Sequence, residues 1–98
     1  MLEIRATGHF EKWVNSLKDR KAKAKVQVQI TKMSIGNLGD VKPIGERIGE
    51  ARIHYGHGYR LYFIKRGKEL IILLAGGTKR NQSADIKKAI KLAKNIEN

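Results

Sequence analysis

The chain has 98 residues, of which 41% are hydrophobic, so it has room for one domain with one modest core. It contains 21 Lys and Arg residues against nine Asp and Glu, and this formal net charge of +12 favours a polyanionic partner. Cysteine is absent, which excludes disulfides and thiolate metal sites, and the longest apolar run, Leu70 to Ala75, is far shorter than the roughly 20 residues that span a bilayer.

Nucleic acid is the polyanion that this charge favours most, because basic side chains that neutralise phosphates release condensed counterions. A membrane surface is disfavoured, since the basic residues are spread over the whole chain and are not gathered on one amphipathic helix. An acidic protein partner and a basic surface that only maintains solubility both stay open. The N-terminus lacks the apolar core of a signal peptide, so we expect a cytoplasmic protein.

The first third of the chain predicts a strand and two helices. Residues 2–6 alternate apolar and polar side chains, and residues 9–18 place apolar side chains at i, i+3, i+4 and i+7, the spacing of one helical face. Asp19 is a suitable N-cap for a second helix.

The segment "KAKAKVQVQI" alternates like a strand, yet it also carries an apolar stripe with helical spacing. The stripe consists of Ala22, Val26, Ile30 and Met33. We predict a helix, because an antiparallel helical hairpin would close two apolar faces over one side of a sheet.

The rest of the chain predicts a loop, three strands and a helix. Residues 36–45 hold three glycines and the only proline, which predicts an irregular loop. The strands are predicted at 46–55, 58–66 and 69–75. Their short connections force an antiparallel meander. The segment "GGTKRNQS" then predicts a turn, and the chain is predicted to be helical from Ala84 onward.

The predicted fold is therefore α+β: an N-terminal strand, a helical hairpin, a three-stranded antiparallel meander and a C-terminal helix, in a single domain over residues 1–98. We expect helices to cover one face of the sheet and to leave the other face open. The stretch "ARIHYGHGYRLYF" gathers basic and aromatic side chains on that open face, since alternate residues of a strand share a face. The candidates are Arg52 and His54 on one strand, Arg60 and Tyr62 on the next, and Lys79 and Arg80 from the following turn.

Four segments in this order resemble the RelE/ParE toxin superfamily, and more narrowly its HigB-like, phage Gp49-related branch of addiction-module killer proteins. They read "GNLGD.KPIG", "E.RIHYGHGYRLYF", "LIILLAGG.K..Q" and "DIKKA", and the match covers most of the chain, from about Phe10 to Ala93. The resemblance implies a RelE-like α+β fold and the toxin of a type II toxin–antitoxin pair. It also implies a neighbouring antitoxin as partner, expected to be a helix-turn-helix protein with an acidic surface.

RelE and HigB relatives cleave messenger RNA on the ribosome, so the resemblance implies a metal-independent endoribonuclease. Such an enzyme activates a 2′-OH, stabilises the charge on the phosphorane and protonates the leaving 5′ oxygen. Arg60, in "GYR", matches an arginine of the family's active centre, and Arg52 matches a basic position that contacts phosphate. Lys79 and His54 are the candidates for proton transfer. Arg52 could instead pair with Glu50, Lys79 could be a solvated turn residue, and His54 could be an ordinary surface histidine.

Three further residues are candidates for RNA binding: Tyr62, Arg80 and Gln82. Tyr62 could stack on an unpaired base, although it could equally be a core residue beneath the C-terminal helix. Gln82 belongs to the family pattern "GG.K..Q", but it could also only cap the final helix. We expect no cofactor and no metal, because Glu50, His54 and His57 are not spaced to bring three ligands together.

Two other functions stay open at this point. ParE relatives inhibit DNA gyrase without catalysis, and the same basic surface would serve that role. A plain nucleic-acid-binding module would also account for the charge.

Overall fold

A computed structural model of the chain describes residues 1–97. In chain order the elements are β1 (Glu3–Ala6), α1 (Gly8–Ser16), α2 (Arg20–Ser34), β2 (Asp40–Pro43), β3 (Ile48–Ile53), β4 (Tyr59–Arg66), β5 (Leu70–Thr78), a short 3-10 helix (Lys79–Asn81) and α3 (Gln82–Glu97). The protein thus has an α+β fold, as the sequence predicts. Within residues 1–97, no helix has both the length and the apolar character needed to cross a membrane.

The five strands form one sheet in the order β1-β5-β4-β3-β2. β2, β3, β4 and β5 pair antiparallel in sequence order, whereas β1 pairs parallel with β5. The register of β4 and β5 shifts between Tyr62 and Phe63. The predicted meander is therefore confirmed as the centre of a larger sheet, in which β1 and β2 form the two edges.

The helical interpretation of "KAKAKVQVQI" is confirmed, because this segment lies within α2. Asp19 caps α2 as predicted, and its Oδ1 accepts hydrogen bonds from the backbone N–H groups of Lys21 (2.9 Å) and Ala22 (3.1 Å). The stripe faces the sheet, where Val26 and Met33 are fully buried. Helical packing thus outweighs the strand-like alternation of the same residues.

Both faces of the sheet are covered, which corrects the expectation of one open face. Side chains of α1 and α2 pack on one face in a cluster of Phe10, Val14, Val26, Met33, Ala51, Leu61, Phe63, Ile71 and Leu73. Those of α3 pack on the other in a cluster of Ile48, Tyr62, Ile64, Ile72, Leu74, Ala75, Ala89 and Ala93. This coverage explains why "LIILLA" is continuously apolar, since a strand buried on both faces has no side that needs polar residues.

One predicted loop, the end of the last strand and the start of the last helix are also wrong. The glycine-rich segment 36–45 is not wholly irregular, because Asp40–Pro43 forms β2 at the sheet edge, paired with β3. An edge strand tolerates Pro43 at its end because only one side of it must supply ladder hydrogen bonds. The last strand continues to Thr78, and α3 begins at Gln82, two residues before the predicted start.

The two glycines predicted to form a turn lie within β5, where each admits a group from another element. A Cβ on Gly76 would overlap the ring of Trp13 in α1, and a Cβ on Gly77 would overlap the carboxylate of Asp85 in α3. The two overlaps arise from helices on opposite faces of the sheet. Glycine is therefore needed here for close packing and not for turn geometry.

We expect Gly76→Ala to lower the free energy of unfolding by about 1 to 3 kcal/mol, because the added methyl group must displace the Trp13 ring in a packed core. Urea denaturation followed by far-UV circular dichroism measures this change. Gly8→Ala is the matched control, since a Cβ at Gly8 has nothing within 4 Å. Equal stability of the two variants would contradict the close approach of Trp13 to β5.

Candidate active site

A buried carboxylate lies at the centre of the candidate site. Glu50, on β3, is fully buried, and three side chains donate hydrogen bonds to it. Its Oε2 accepts from Gln82 Nε2 (2.8 Å) and the Tyr62 hydroxyl (3.0 Å), and its Oε1 accepts from Arg52 Nε (3.3 Å). Arg60 Nε lies 3.6 Å from Oε2 as an ion-pair partner. We call these five residues the Glu50 cluster.

The strand register produces this cluster. In the β3–β4 hairpin, Glu50 pairs with Tyr62 and Arg52 pairs with Arg60, so all four side chains emerge on the same face. That face is the one covered by α3, whose first residue, Gln82, completes the cluster. The prediction that Arg60 and Tyr62 share a face is confirmed, and so is the alternative in which Arg52 pairs with Glu50.

The environment of Glu50 keeps its carboxylate ionised. Burial alone would raise the pKa of Glu50, but the hydrogen bonds from Gln82, Tyr62 and Arg52, together with the charge of Arg60, lower it below its ordinary value. The same contact has the opposite effect on the phenol, since burial and the neighbouring Glu50 charge raise the pKa of Tyr62. Tyr62 therefore stays protonated near neutral pH and acts as a hydrogen-bond donor.

The two guanidinium groups of the cluster differ in their access to solvent. The Arg60 side chain is 11% exposed, and its Nη1 donates to the Gly58 carbonyl at 3.2 Å. The Arg52 side chain is 31% exposed. Arg60 and Lys79 both lie close to Gly58, since a Cβ built there would be 3.5 Å from Arg60 Nη1 and 3.8 Å from Lys79 Cβ. The backbone N–H of Lys79 also donates to the Gly58 carbonyl (2.9 Å), which fixes the 3-10 helix next to the hairpin turn.

His54 is held apart from the Glu50 cluster by a different carboxylate. It follows β3 directly, its side chain is 73% exposed, and its Nε2 lies 2.6 Å from Oδ2 of Asp40 on the edge strand β2. His54 and Asp40 line a cavity of about 370 Å³ together with Arg52, Lys25 and Lys32. Arg52 thus belongs both to the Glu50 cluster and to this cavity, which we call the His54 cavity.

One predicted role is wrong. Tyr62 is fully buried beneath α3 and donates to Glu50, so neither face of its ring is open to a base. The alternative of a core aromatic is correct, and Tyr62 fixes the position of Glu50. Gln82 is likewise a donor to Glu50, and Arg80 is exposed on the 3-10 helix.

Sequence reasoning missed the central role of Glu50, which it considered only as an ion-pair partner of Arg52 and as a metal ligand that the spacing disfavours. The available signal was the hairpin register, which places Glu50 opposite Tyr62. Asp85 was missed as well: its Oδ2 is buried without a hydrogen-bond partner in the described residues, and burial raises the pKa of its carboxyl. Nothing in the spacing of "SADIKK" indicates that burial, which depends on Gly77.

Comparison with known proteins identifies a relative that matches almost the whole chain. No protein-family model matches the chain. A protein of Haemophilus influenzae, described as an uncharacterized protein, is 41% identical over 95 residues, which cover 97% of this chain and 96% of the relative. Its description names no activity, so the comparison assigns none.

We expect Glu50→Gln to lower the free energy of unfolding at pH 7 by about 2 to 3 kcal/mol, because the variant leaves two guanidinium groups without their shared countercharge. The folded-state pKa of Glu50 is lowered from an ordinary value of 4.5. The difference in free energy of unfolding between wild type and Glu50→Gln is therefore full above about pH 4.5 and disappears as the pH falls through the folded-state pKa. Urea denaturation between pH 3 and pH 7 measures both effects.

The matched control is Glu3→Gln, because Glu3 forms an exposed ion pair with Arg5 on β1. We expect this control to have no measurable effect on stability at any pH. A constant difference between wild type and Glu50→Gln across the pH range would disprove the ionised, buried state of Glu50.

Proposed function

This chain belongs to one family with the Haemophilus influenzae protein, and we propose that it is the toxin of a type II toxin–antitoxin pair that cleaves messenger RNA on the ribosome. The observation that carries the proposal is the convergence of Arg52 and Arg60 from paired strands beside Lys79 and the His54 cavity. We also propose that the α+β arrangement is the RelE-like fold that the sequence motifs imply. The partner is an antitoxin, a helix-turn-helix protein whose acidic surface covers the basic face.

Arg60 and Arg52 bind the scissile phosphate in this proposal. A guanidinium group matches two phosphate oxygens with two parallel N–H donors, and its charge stabilises the phosphorane more than the starting diester. Glu50 holds both groups in place, so little side-chain entropy is lost when the phosphate arrives. The cluster has two cations and one anion, which leaves one positive charge for the incoming phosphate.

The reaction then needs one proton removed and one supplied. The ribose 2′ oxygen forms a bond to phosphorus as a base takes its proton, and the bond from phosphorus to the 5′ oxygen breaks as an acid protonates that oxygen. His54 is the group we assign to one of these transfers. Asp40 contacts its Nε2 and so orients the ring, which leaves Nδ1 to exchange a proton with the RNA. Lys79, next to Arg60, is the candidate for the other transfer.

One observation favours a second candidate function, a non-catalytic toxin that inhibits DNA gyrase. Both guanidinium groups already contact Glu50, and the Tyr62 ring is buried, so fewer groups are available for RNA chemistry than the sequence predicted. Brief induction of the protein, followed by mapping of messenger RNA 5′ ends and of chromosomal DNA breaks, separates the two functions. New RNA ends support the nuclease, and DNA breaks with intact messages support the gyrase inhibitor.

We expect Arg60→Lys to reduce messenger RNA cleavage in a translating extract by about 10²-fold or more, because lysine keeps the charge but loses the planar pair of donors. Primer extension of the cleaved message measures the rate. Arg5→Ala is the control, since Arg5 is exposed on β1 and contacts Glu3. Full activity of Arg60→Lys would exclude bidentate phosphate binding by Arg60.

We expect His54→Ala to lower the cleavage rate at saturating ribosomes by about 10²-fold, the usual contribution of a general acid or base. Asp40→Asn, which keeps the size of the partner but removes its charge, should have a smaller effect, because the His54 ring loses only part of the contact that orients it. If Lys79→Ala abolishes turnover while His54→Ala changes only the ribosome concentration needed, His54 serves in binding and takes no part in proton transfer.

A further inference from the structure

An aromatic ring with two lysines above it lies next to the candidate site. Tyr55 follows β3 in the hairpin turn and is half-buried, and its ring stacks on Tyr59 with centroids 6.3 Å apart and an interplanar angle of 21°. Its hydroxyl donates to Oδ2 of Asp19 at 3.1 Å. Tyr59 is buried, so the Tyr55 ring is fixed by the core beneath it and by Asp19 at its edge. A rigid ring loses little entropy when it binds a ligand.

The lysines are exposed residues of α2, one helical turn apart. The ammonium nitrogens of Lys21 and Lys25 lie 5.9 Å and 5.4 Å from the centroid of the Tyr55 ring. Exposed cation–π contacts of this kind are weak, so a nucleobase could displace the ammonium groups from the ring. The displaced groups would remain within reach of the phosphates on either side of that base. We call Tyr55, Tyr59, Lys21 and Lys25 the Tyr55 platform.

The Tyr55 platform is continuous with the candidate site. Lys25 contacts the Tyr55 ring and also lines the His54 cavity. Lys32, two turns further along α2, lines the same cavity, as do Arg52 and His54. A chain of phosphates can therefore contact cations from the N-terminal half of α2 to the candidate catalytic groups.

We propose that the Tyr55 platform binds single-stranded RNA beside the candidate site, with one unpaired base stacked on Tyr55 and the adjacent phosphates bound by Lys21 and Lys25. The proposal rests on the proposed function, which makes RNA the substrate. Stacking on an aromatic ring requires a base that is not already stacked in a duplex. An acidic protein would pair with the lysines but would leave the Tyr55 ring without a stacking partner, whereas an unpaired base uses both the ring and the lysines.

Binding of a fluorescein-labelled oligouridine, measured by fluorescence anisotropy, tests the ring. We expect Tyr55→Leu to weaken binding at least about fivefold, whereas Tyr55→Phe, which keeps the ring and loses only the hydroxyl, should bind nearly as wild type does. An abasic oligonucleotide of the same length is the matched ligand control, and it should bind wild type and Tyr55→Leu equally. Thermal unfolding of each variant establishes that the fold is retained.

The salt dependence of binding tests the lysines. Each lysine that neutralises a phosphate of a single strand contributes about 0.7 to the slope of log K against log salt concentration, so Lys21→Gln/Lys25→Gln should lower the slope by about 1.4. Tyr55→Leu should leave the slope unchanged. The matched control is Lys91→Gln/Lys94→Gln, because it removes the same charge from α3 on the opposite face of the sheet. Equal slopes for the two double variants would overturn the assignment of the lysines.

Each outcome bears on either this inference or the proposed function. Unchanged oligouridine binding by Tyr55→Leu overturns the inference even if the wild type cleaves messenger RNA, and so does equal affinity of the wild type for duplex RNA. If oligouridine binding depends on Tyr55 but the protein cleaves no message, the inference about the Tyr55 platform stands and the proposed nuclease function is wrong. Weakened binding of an acidic partner protein by Tyr55→Leu, with unchanged oligouridine binding, would reassign the surface to protein recognition.

Discussion

The buried carboxylate of Glu50 is the constraint on which the rest of the candidate site depends. A buried carboxylate is costly to keep ionised, and only hydrogen bonds and charges from the surrounding donors offset that cost. Those donors come from β3, β4 and α3, so Glu50 ties the hairpin to the first residue of the last helix. A shift of the hairpin register by one residue would turn its donors on β4 to the other face of the sheet and leave Glu50 without them.

Holding two arginines on one carboxylate changes what they can do for a substrate. A free guanidinium group on a long side chain must be ordered when it binds phosphate, whereas one already fixed by Glu50 is not reordered. The same carboxylate competes with the phosphate, and the competition is weakest where the guanidinium group is most open. Arg52 is the more exposed of the two and also lines the His54 cavity, so under the proposed function Arg52 makes the first contact with an incoming phosphate.

Local features of the fold were predictable because they depend on residues that are close together in the sequence. Asp19 announces the start of α2, and Gly67, with a φ of 58°, lies at the turn between β4 and β5. Features that depend on contacts between distant segments of the chain were not predictable. The alternation of β4 shows which of its side chains share a face, but only the position of α3 decides that Tyr62 is covered. Likewise, only the pairing with β3 makes a strand, β2, of a segment that contains glycines and a proline.

Three acidic residues of this strongly basic chain each fix a candidate functional side chain. Glu50 holds the arginines, Asp40 contacts His54, and Asp19 accepts from Tyr55. The last two pairs join residues that are 14 and 36 positions apart, so no local pattern could reveal them. In a molecule with a net charge of +12, an acid next to a cationic surface lowers the affinity for a polyanion unless it is engaged. Each of the three is engaged, and each orients a donor, a ring or an imidazole, so the acids give this basic surface its geometry.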